Sequence, residues 1–332
     1  MSSKDKQNST KFPRASLREL LQEYKLDLET ANRSPKTIES YVYSLNMLVS
    51  FLESAQLMKP VRELGIRDIT AFIRYLQDSK KWPNRHRTGK DYGMLSPSCI
   101  QHHTRNIKVF WSWLARQGYI ENNPLARLPL PKAPQYVIRT LTNNQLKSLL
   151  SSIDKSKAIG CKYYCVLLVL IDTGMRISEL VKIKMDALDL KNGLVTILGK
   201  GQKQRVIPFC KRTRGELVRY IGNFRGLLCP EESYYLFPVG NGEHISVSSV
   251  QQFIRRLAKK AGLDGIRCSP HIFRHTFATQ AIANEANVFT LKSIMGHASL
   301  QTTMKYTHLK VADLKDQHNR FSPVEKLIKT VF

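Results

Sequence analysis

The sequence predicts a mainly α-helical protein with a small antiparallel β-sheet, arranged as two domains. Three observations carry that expectation. Apolar residues recur at helical spacing through most of the chain, behind serine and threonine start signals. Two β-rich runs, 194–198 and 205–209, flank a glycine-bearing turn. A stretch without periodicity, 119–138, holds Pro124, Pro129, Pro131 and Pro134. Prolines at that density cannot sustain a helix, so the stretch reads as a linker between two helical halves. With 332 residues, each half is long enough to bury a core of its own. The expected organisation is a flexible basic arm at 1–15, a helical domain at 16–118, the linker at 119–138, a second domain at 139–310 and a tail at 311–332.

In chain order, Ser16 and Glu19 form a capping box that opens a first helix, with Leu17, Leu20, Leu21, Tyr24 and Leu28 on one stripe. Ser34-Pro35 starts a second, because serine caps a helix and proline suits its first position; Ile38, Tyr41, Leu45, Leu48 and Leu52 form its stripe. A third follows Asp68 and buries Ile69, Phe72, Ile73 and Leu76. The basic stretch 80–93 reads as a loop. Ser96-Pro97 starts a fourth helix around Ile100, Ile107, Phe110, Trp111 and Leu114. The second domain opens on a capping box of Thr142 and Gln145, followed by an apolar helix from about Tyr163 to a glycine stop at Gly174. The β-rich runs then make a hairpin, and helical patterns return at 213–224, 247–261, 270–283, 288–295 and 300–306.

The chain carries 52 Lys and Arg against 26 Asp and Glu, a net charge of +26 divided as +10 up to residue 138 and +16 beyond it. So large and evenly spread a surplus favours a polyanion, although a membrane surface or an acidic protein would also answer to it. No apolar run reaches about 18 residues, and residues 1–14 have no hydrophobic segment of the secretory kind, which disfavours membrane spanning and secretion. The six cysteines contain no Cys-x-x-Cys pair, and Cys161 and Cys165 read as small buried hydrophobes in a reducing compartment. On the fourth helix Arg105 and Lys108 are, taken singly, ordinary solvated residues. The overall surplus turns them, with Lys203 and Arg205, into candidate DNA contacts.

Four segments gather chemistry-bearing side chains. In "TGMRISEL" Arg176 follows the glycine stop and begins a helix, where its planar fork can address an anion. In "LGKGQKQRVIP" Lys200 stands between two glycines at the hairpin tip, either a mobile reaching cation or a solvated turn residue. In "SPHIFRHTFAT" His271 and Arg274 are three apart and share a helix face, and His275 lies on a neighbouring one. Last come His297 in "MGH" and Tyr306 in "KYTH". A lone tyrosine among 13 means little unless these cations surround it.

The ordered set of motifs, with "SPKTIESYVYSLNMLVSFL" and "NNPL" before them, resembles the tyrosine site-specific recombinases, the lambda-integrase and Xer-like group, over roughly residues 16–308. The resemblance implies a two-domain clamp, an all-α SAM-like core-binding domain followed by an α+β catalytic domain. It implies that Tyr306 attacks a DNA phosphodiester to give a 3′-phosphotyrosyl intermediate. His271 would serve as base, Arg176 and Arg274 would clamp the phosphate, Lys200 would protonate the leaving oxygen, His297 would bond the phosphate, and Glu179 would support the arginines. The positive charge of these groups makes a metal unnecessary, no Walker-type motif is present, and no cofactor is expected.

The implied partners are duplex DNA with inverted-repeat sites, a second copy on one site and a homotetramer in the synaptic complex joined through a Holliday junction, with room for a directionality factor. The implied place is the cytoplasm, at the bacterial nucleoid. The amphipathic tail, with Val324, Leu327, Ile328 and Val331 at helical spacing, would pack on its own domain or dock on a neighbouring protomer. The rival readings are a topoisomerase IB-like relaxing enzyme, which shares the catalytic set, and an idle accessory clamp, which would lack one of these residues. Only about 15 residues precede the first helix, which speaks against an arm-binding phage integrase, and the 80–93 loop leaves a mobile-element recombinase beside an Xer-like resolvase.

Overall fold

The computed structural model describes residues 15–79, 93–134, 139–199, 204–229, 233–263, 265–266 and 268–296. The chain forms two units, residues 1–136 and 137–332.

The first unit consists of α1 (Leu17–Thr30), α2 (Pro35–Ser54), α3 (Ile66–Asp78) and α4 (Pro97–Arg116), with a 3-10 turn at Val61–Glu63. The serine start signals act as caps: Oγ of Ser16, Ser34 and Ser96 each accepts, at 3.3 Å, the backbone N–H three residues on, and Glu19 Oε2 closes the box by accepting from Ser16 N at 2.7 Å. Each cap satisfies a donor that the helix start leaves orphaned, worth about 1 kcal/mol. The apolar stripes meet in one core, where Leu45, Leu48, Leu52, Phe72, Phe110 and Trp111 are fully buried. Side chains of this kind contribute roughly 1.5–3 kcal/mol each relative to exposure. Between α2 and α4 the core is polar: Asn106 Nδ2 donates to Ser44 Oγ at 2.9 Å, and Ser44 Oγ lies 2.9 Å from His103 Nδ1. Burial, and then the nearby His102, push His103 below the ordinary imidazole value.

Two features depart from the sequence reading. α3 begins at Ile66, and Asp68 stands in its first turn, where its carboxylate accepts from Gly65 N at 2.8 Å and from Lys59 Nζ at 2.9 Å. Part of the stretch expected as linker also belongs to the first core, since Ile120, Leu125 and Leu128 are buried there. Prolines block a helix but not burial, and a chain without periodicity can still place single apolar side chains in a core.

In the second unit α5 (Asn143–Ser151) carries the Thr142–Gln145 capping box. α6 (Ala158–Thr173) packs against α8 (Lys211–Tyr220) and α11 (Pro270–Ala283), with Cys165 through Leu170 all buried. It starts five residues before the expected Tyr163. Its second turn opens on Lys162, a residue that breaks the apolar pattern yet is buried, with Nζ donating to Pro238 O at 3.3 Å. Burial pushes the Cys161 and Cys165 thiols up.

After α7 (Ile177–Leu180) comes the sheet, strands β1 (Leu188–Asp189), β2 (Leu194–Leu198) and β3 (Gln204–Pro208), antiparallel in the order β1-β2-β3. Val195 faces Ile207 and Ile197 faces Arg205 across β2 and β3. The two-residue β1 is too short to carry a periodicity signal. α8 continues through a π-turn, Ile221–Arg225, into α9 (Gly226–Leu228), and α10 (Val247–Lys260), α11 and α12 (Val288–Met295) follow. No helix among the described residues is long and apolar enough to cross a membrane. The expected helix at 300–306, the arm and the tail lie outside the described residues.

α6 ends at Gly174 in the left-handed conformation, φ +58°, and a Cβ there would lie 2.4 Å from Phe277 Cδ1. Gly174→Ala therefore meets both a left-handed backbone penalty and a ring that has to move. The expected cost is at least about 1–2 kcal/mol, a fall of roughly 2–8 °C in the melting temperature of the second unit, read by differential scanning calorimetry.

Candidate active site

The glycine stop sets the first arginine. Gly174 ends α6 in one residue, and Arg176 becomes the N-cap of the short α7 with Glu179 in its first turn. Glu179 reaches back: Oε2 accepts the Arg176 backbone N–H at 2.9 Å and Oε1 accepts Arg176 Nη1 at 3.0 Å. Arg205, directly across the hairpin from Ile197, brings its planar fork to the same carboxylate, with Nη1 donating to Oε1 at 3.1 Å and Nη2 to Oε2 at 2.8 Å. Each carboxylate oxygen thus receives two N–H donors, which fills its capacity. The Glu179 side chain is 7% exposed. Burial alone would raise its carboxyl, but the Arg205 hydrogen bonds, the Arg176 backbone N–H and the Arg205 charge together hold it below the ordinary value.

The second anchor is the C-terminal end of α12. Three successive carbonyls there each accept from a different guanidinium: Ile294 O from Arg205 Nε at 2.9 Å, Met295 O from Arg274 Nη2 at 2.7 Å and Gly296 O from Arg176 Nη2 at 3.1 Å. Carbonyls at a helix end lack partners inside the helix and carry its negative partial charge, so cations belong there. The buried Arg274, on α11, ties the anchor back to the end of α6 by donating from Nη1 to Gly174 O at 2.7 Å. Three arginines and one carboxylate leave this cluster with net positive charge, suited to an anion. Among the described residues no group of His, Cys, Asp and Glu could hold a metal ion.

The residues singled out in the sequence fall into three groups. Arg176, Glu179 and Arg274 come together as described, and His271 stands exposed on the same helix as the buried Arg274. Ser269 holds the N-cap position of that helix without a side-chain cap bond among the described residues. His275 is pushed below the ordinary imidazole value by burial and then by the charges of His271 and Arg274. Lys200, Lys203, His297 and Tyr306 lie outside the described residues.

Two expected DNA contacts are placed differently. Arg205 has a side chain only 12% exposed and spends its donors on Glu179 and Ile294 O. Strand alternation carried the signal for this, because Arg205 shares the inward face of β3 with the buried Ile207. Lys108 points its ammonium at the carbonyls of Ala126 and Leu128, closing the start of the expected linker onto α4; Arg105 is exposed.

Residues 139–313, more than half of the chain, match the phage integrase family, and residues 20–121 match the phage integrase N-terminal SAM-like domain. The chain belongs to the phage integrase family, the tyrosine site-specific recombinases. This recombinase is 28% identical over 292 residues to the tyrosine recombinase XerD of Listeria innocua, covering 87% of this chain and 93% of that one. It is 32% identical over 218 residues to the tyrosine recombinase XerD of Pseudomonas aeruginosa, covering 65% and 73%. In fold the recombinase is similar to a Tn1549 transposon integrase variant solved in complex with transposon right end DNA, with a TM-score of 0.72 at 20% identity over 93% of this chain and 100% of that one. It is thus an enzyme that cleaves and rejoins DNA, built from a SAM-like helical domain and a catalytic domain.

Removing the carboxylate from the recombinase strands two arginines. Glu179→Ala is expected to cost about 3–5 kcal/mol at neutral pH, measured by denaturant unfolding. Because folding lowers the Glu179 carboxyl below 4.5, its contribution is fully present above that pH and is lost as the pH falls through the lower folded value. The gap between wild type and Glu179→Ala should therefore narrow on acidification below pH 4.5.

Proposed function

We propose that this protein recombines duplex DNA at specific sites by breaking and rejoining it through Tyr306, with a 3′-phosphotyrosyl intermediate and a Holliday junction. The observation that carries this reading is the positively charged cluster of Arg176, Arg205 and Arg274 around one carboxylate and one helix end. The Arg176 side chain is 36% exposed, which leaves its fork accessible to a phosphate oxygen. Arg274 completes the clamp, and bidentate guanidinium groups suit the tetrahedral oxygens better than an ammonium would.

In the forward step the Tyr306 hydroxyl oxygen forms a bond to phosphorus while the bond from phosphorus to the 5′-oxygen breaks. His271 takes the phenol proton, needed because a phenol with a pKa near 10 is a weak nucleophile at neutral pH, and Lys200 gives a proton to the leaving 5′-oxygen. His297 donates to a non-bridging oxygen as charge builds there. The bond to tyrosine keeps the phosphodiester's energy, so the 5′-hydroxyl of a partner strand can reverse the step without ATP. A protein pair on each inverted-repeat site, four copies at synapsis, and the tail 311–332 docking on a neighbour fit this exchange. Exposed Arg105 and the tip residue Lys203 remain candidate DNA contacts. The relatives' names support either Xer-like resolution or the movement of a mobile element.

Tyr306→Phe is expected to bind DNA like wild type and to form no covalent adduct, read by denaturing gel on a nicked suicide duplex whose sequence is recovered from adducts trapped in the host. Adducts formed by Tyr306→Phe would refute the assignment. Products exchanged between two sites, rather than relaxation of one supercoiled circle, separate a recombinase from a topoisomerase. Raising salt from about 50 to 200 mM should weaken binding by several orders of magnitude, while adduct formation in pre-bound complexes changes little.

A further inference from the structure

We infer that Arg205 is a positioning residue of this active site, which acts through Glu179 and the end of α12 to hold Arg176 ready for phosphate. The inference rests on the catalytic reading of Arg176 proposed above. Arg205 supplies two of the four N–H groups that fill the Glu179 carboxylate, the other two being the backbone N–H and Nη1 of Arg176. That sharing decides where the Arg176 fork goes. With Arg205 in place, Arg176 gives Glu179 a single side-chain bond and turns Nη2 to Gly296 O. Without Arg205, a buried carboxylate that has lost half of its bonds would draw Arg176 into two-pronged pairing, off Gly296 O and with its charge quenched.

Arg205 also fixes the other side of the cluster. Its Nε bond to Ile294 O sits one carbonyl before the Arg274 bond to Met295 O and two before the Arg176 bond to Gly296 O. One side chain on β3 thereby sets the distance between Glu179 and the helix end that receives both phosphate-binding arginines. The site is built around it: Gly296 is left-handed, φ +63°, and a Cβ on it would lie 2.7 Å from Arg205 Nη1. With Nε, Nη1 and Nη2 all donating within the cluster, Arg205 is placed to support rather than to touch DNA.

The test uses the full-length protein and a nicked duplex bearing the sequence recovered from trapped adducts. Two quantities are measured, the rate of covalent adduct formation at saturating DNA and the DNA concentration that gives half of it. Arg205→Gln is expected to slow the saturated rate roughly 10- to 100-fold with the half-saturating concentration unchanged, and Arg205→Lys, which keeps a cation beside Glu179, to recover part of that rate. In a Glu179→Gln background, Arg205→Gln should cost far less than it does alone. Arg205→Lys covers the case in which Arg205→Gln does not fold, since a folded Arg205→Lys at the wild-type rate would overturn the inference.

A loss confined to binding, with the saturated rate unchanged, would make Arg205 a DNA contact and also overturn it. So would effects of Arg205 and Glu179 that simply multiply. If wild type itself forms no adduct, the catalytic reading fails, an outcome distinct from wild-type adducts that are insensitive to Arg205.

Discussion

Three guanidinium groups cannot be brought together without something to offset their repulsion, and in this protein the offset is one buried carboxylate and four carbonyls, that of Gly174 and three at the end of α12. Glu179 takes four N–H bonds from Arg176 and Arg205, while Ile294, Met295 and Gly296 present their oxygens to Arg205, Arg274 and Arg176 in turn. The carbonyls lie at the negative end of a helix dipole, and the carboxylate is desolvated enough for its bonds to be strong. The surrounding fold brings these groups to one place. α6 stops at Gly174 to launch Arg176, β3 delivers Arg205 from the sheet, and α11 delivers the buried Arg274.

With 52 Lys and Arg against 26 Asp and Glu, the acids can neutralise only half of the cationic charge in the chain. The acids that do pair among the described residues serve as struts. Asp68 joins the start of α3 to Lys59, Glu216 joins α8 to Lys155 and to Arg219 on its own helix, and Glu179 joins α7 to Arg205 on β3. The exposed pairs are worth little in stability. Their effect is to leave the remaining basic surface uncompensated, which is the condition for counterion release on a polyanion.

Local signals were legible in the sequence. Ser16, Ser34, Ser96 and Thr142 cap the helices they were expected to cap, because a cap is a short-range contact between residues three apart. Gly174 and Arg176 could be placed on opposite sides of a helix stop for the same reason. Signals that depend on distant partners were not legible. The third helix was expected to follow Asp68, which instead lies in the first turn of α3, and Ile120, Leu125 and Leu128 sat among prolines that hid their burial. Lys108 and Arg205 were read by charge as surface cations, and each proved to be bonded inward. For Arg205 the alternation with Ile207 pointed the right way, but a net charge of +26 made an outward arginine the easier reading.

The partners of the arginines explain this asymmetry. A motif records side chains, so the arginines and Glu179 stand out in the sequence, whereas a backbone carbonyl is present in every residue and leaves no mark. Four of the acceptors that fix the cluster are of that kind, and Ile294 and Met295 are unremarkable by type. At the end of α12 only Gly296 carries a trace, because the helix ends there with φ +63° and without a Cβ beside the Arg205 guanidinium. A glycine directly before His297 is therefore required on the arginine side of the site, whatever the residues after it do. Gly296 and the two residues before it are thus held one each, Ile294 by Arg205, Met295 by Arg274 and Gly296 by Arg176.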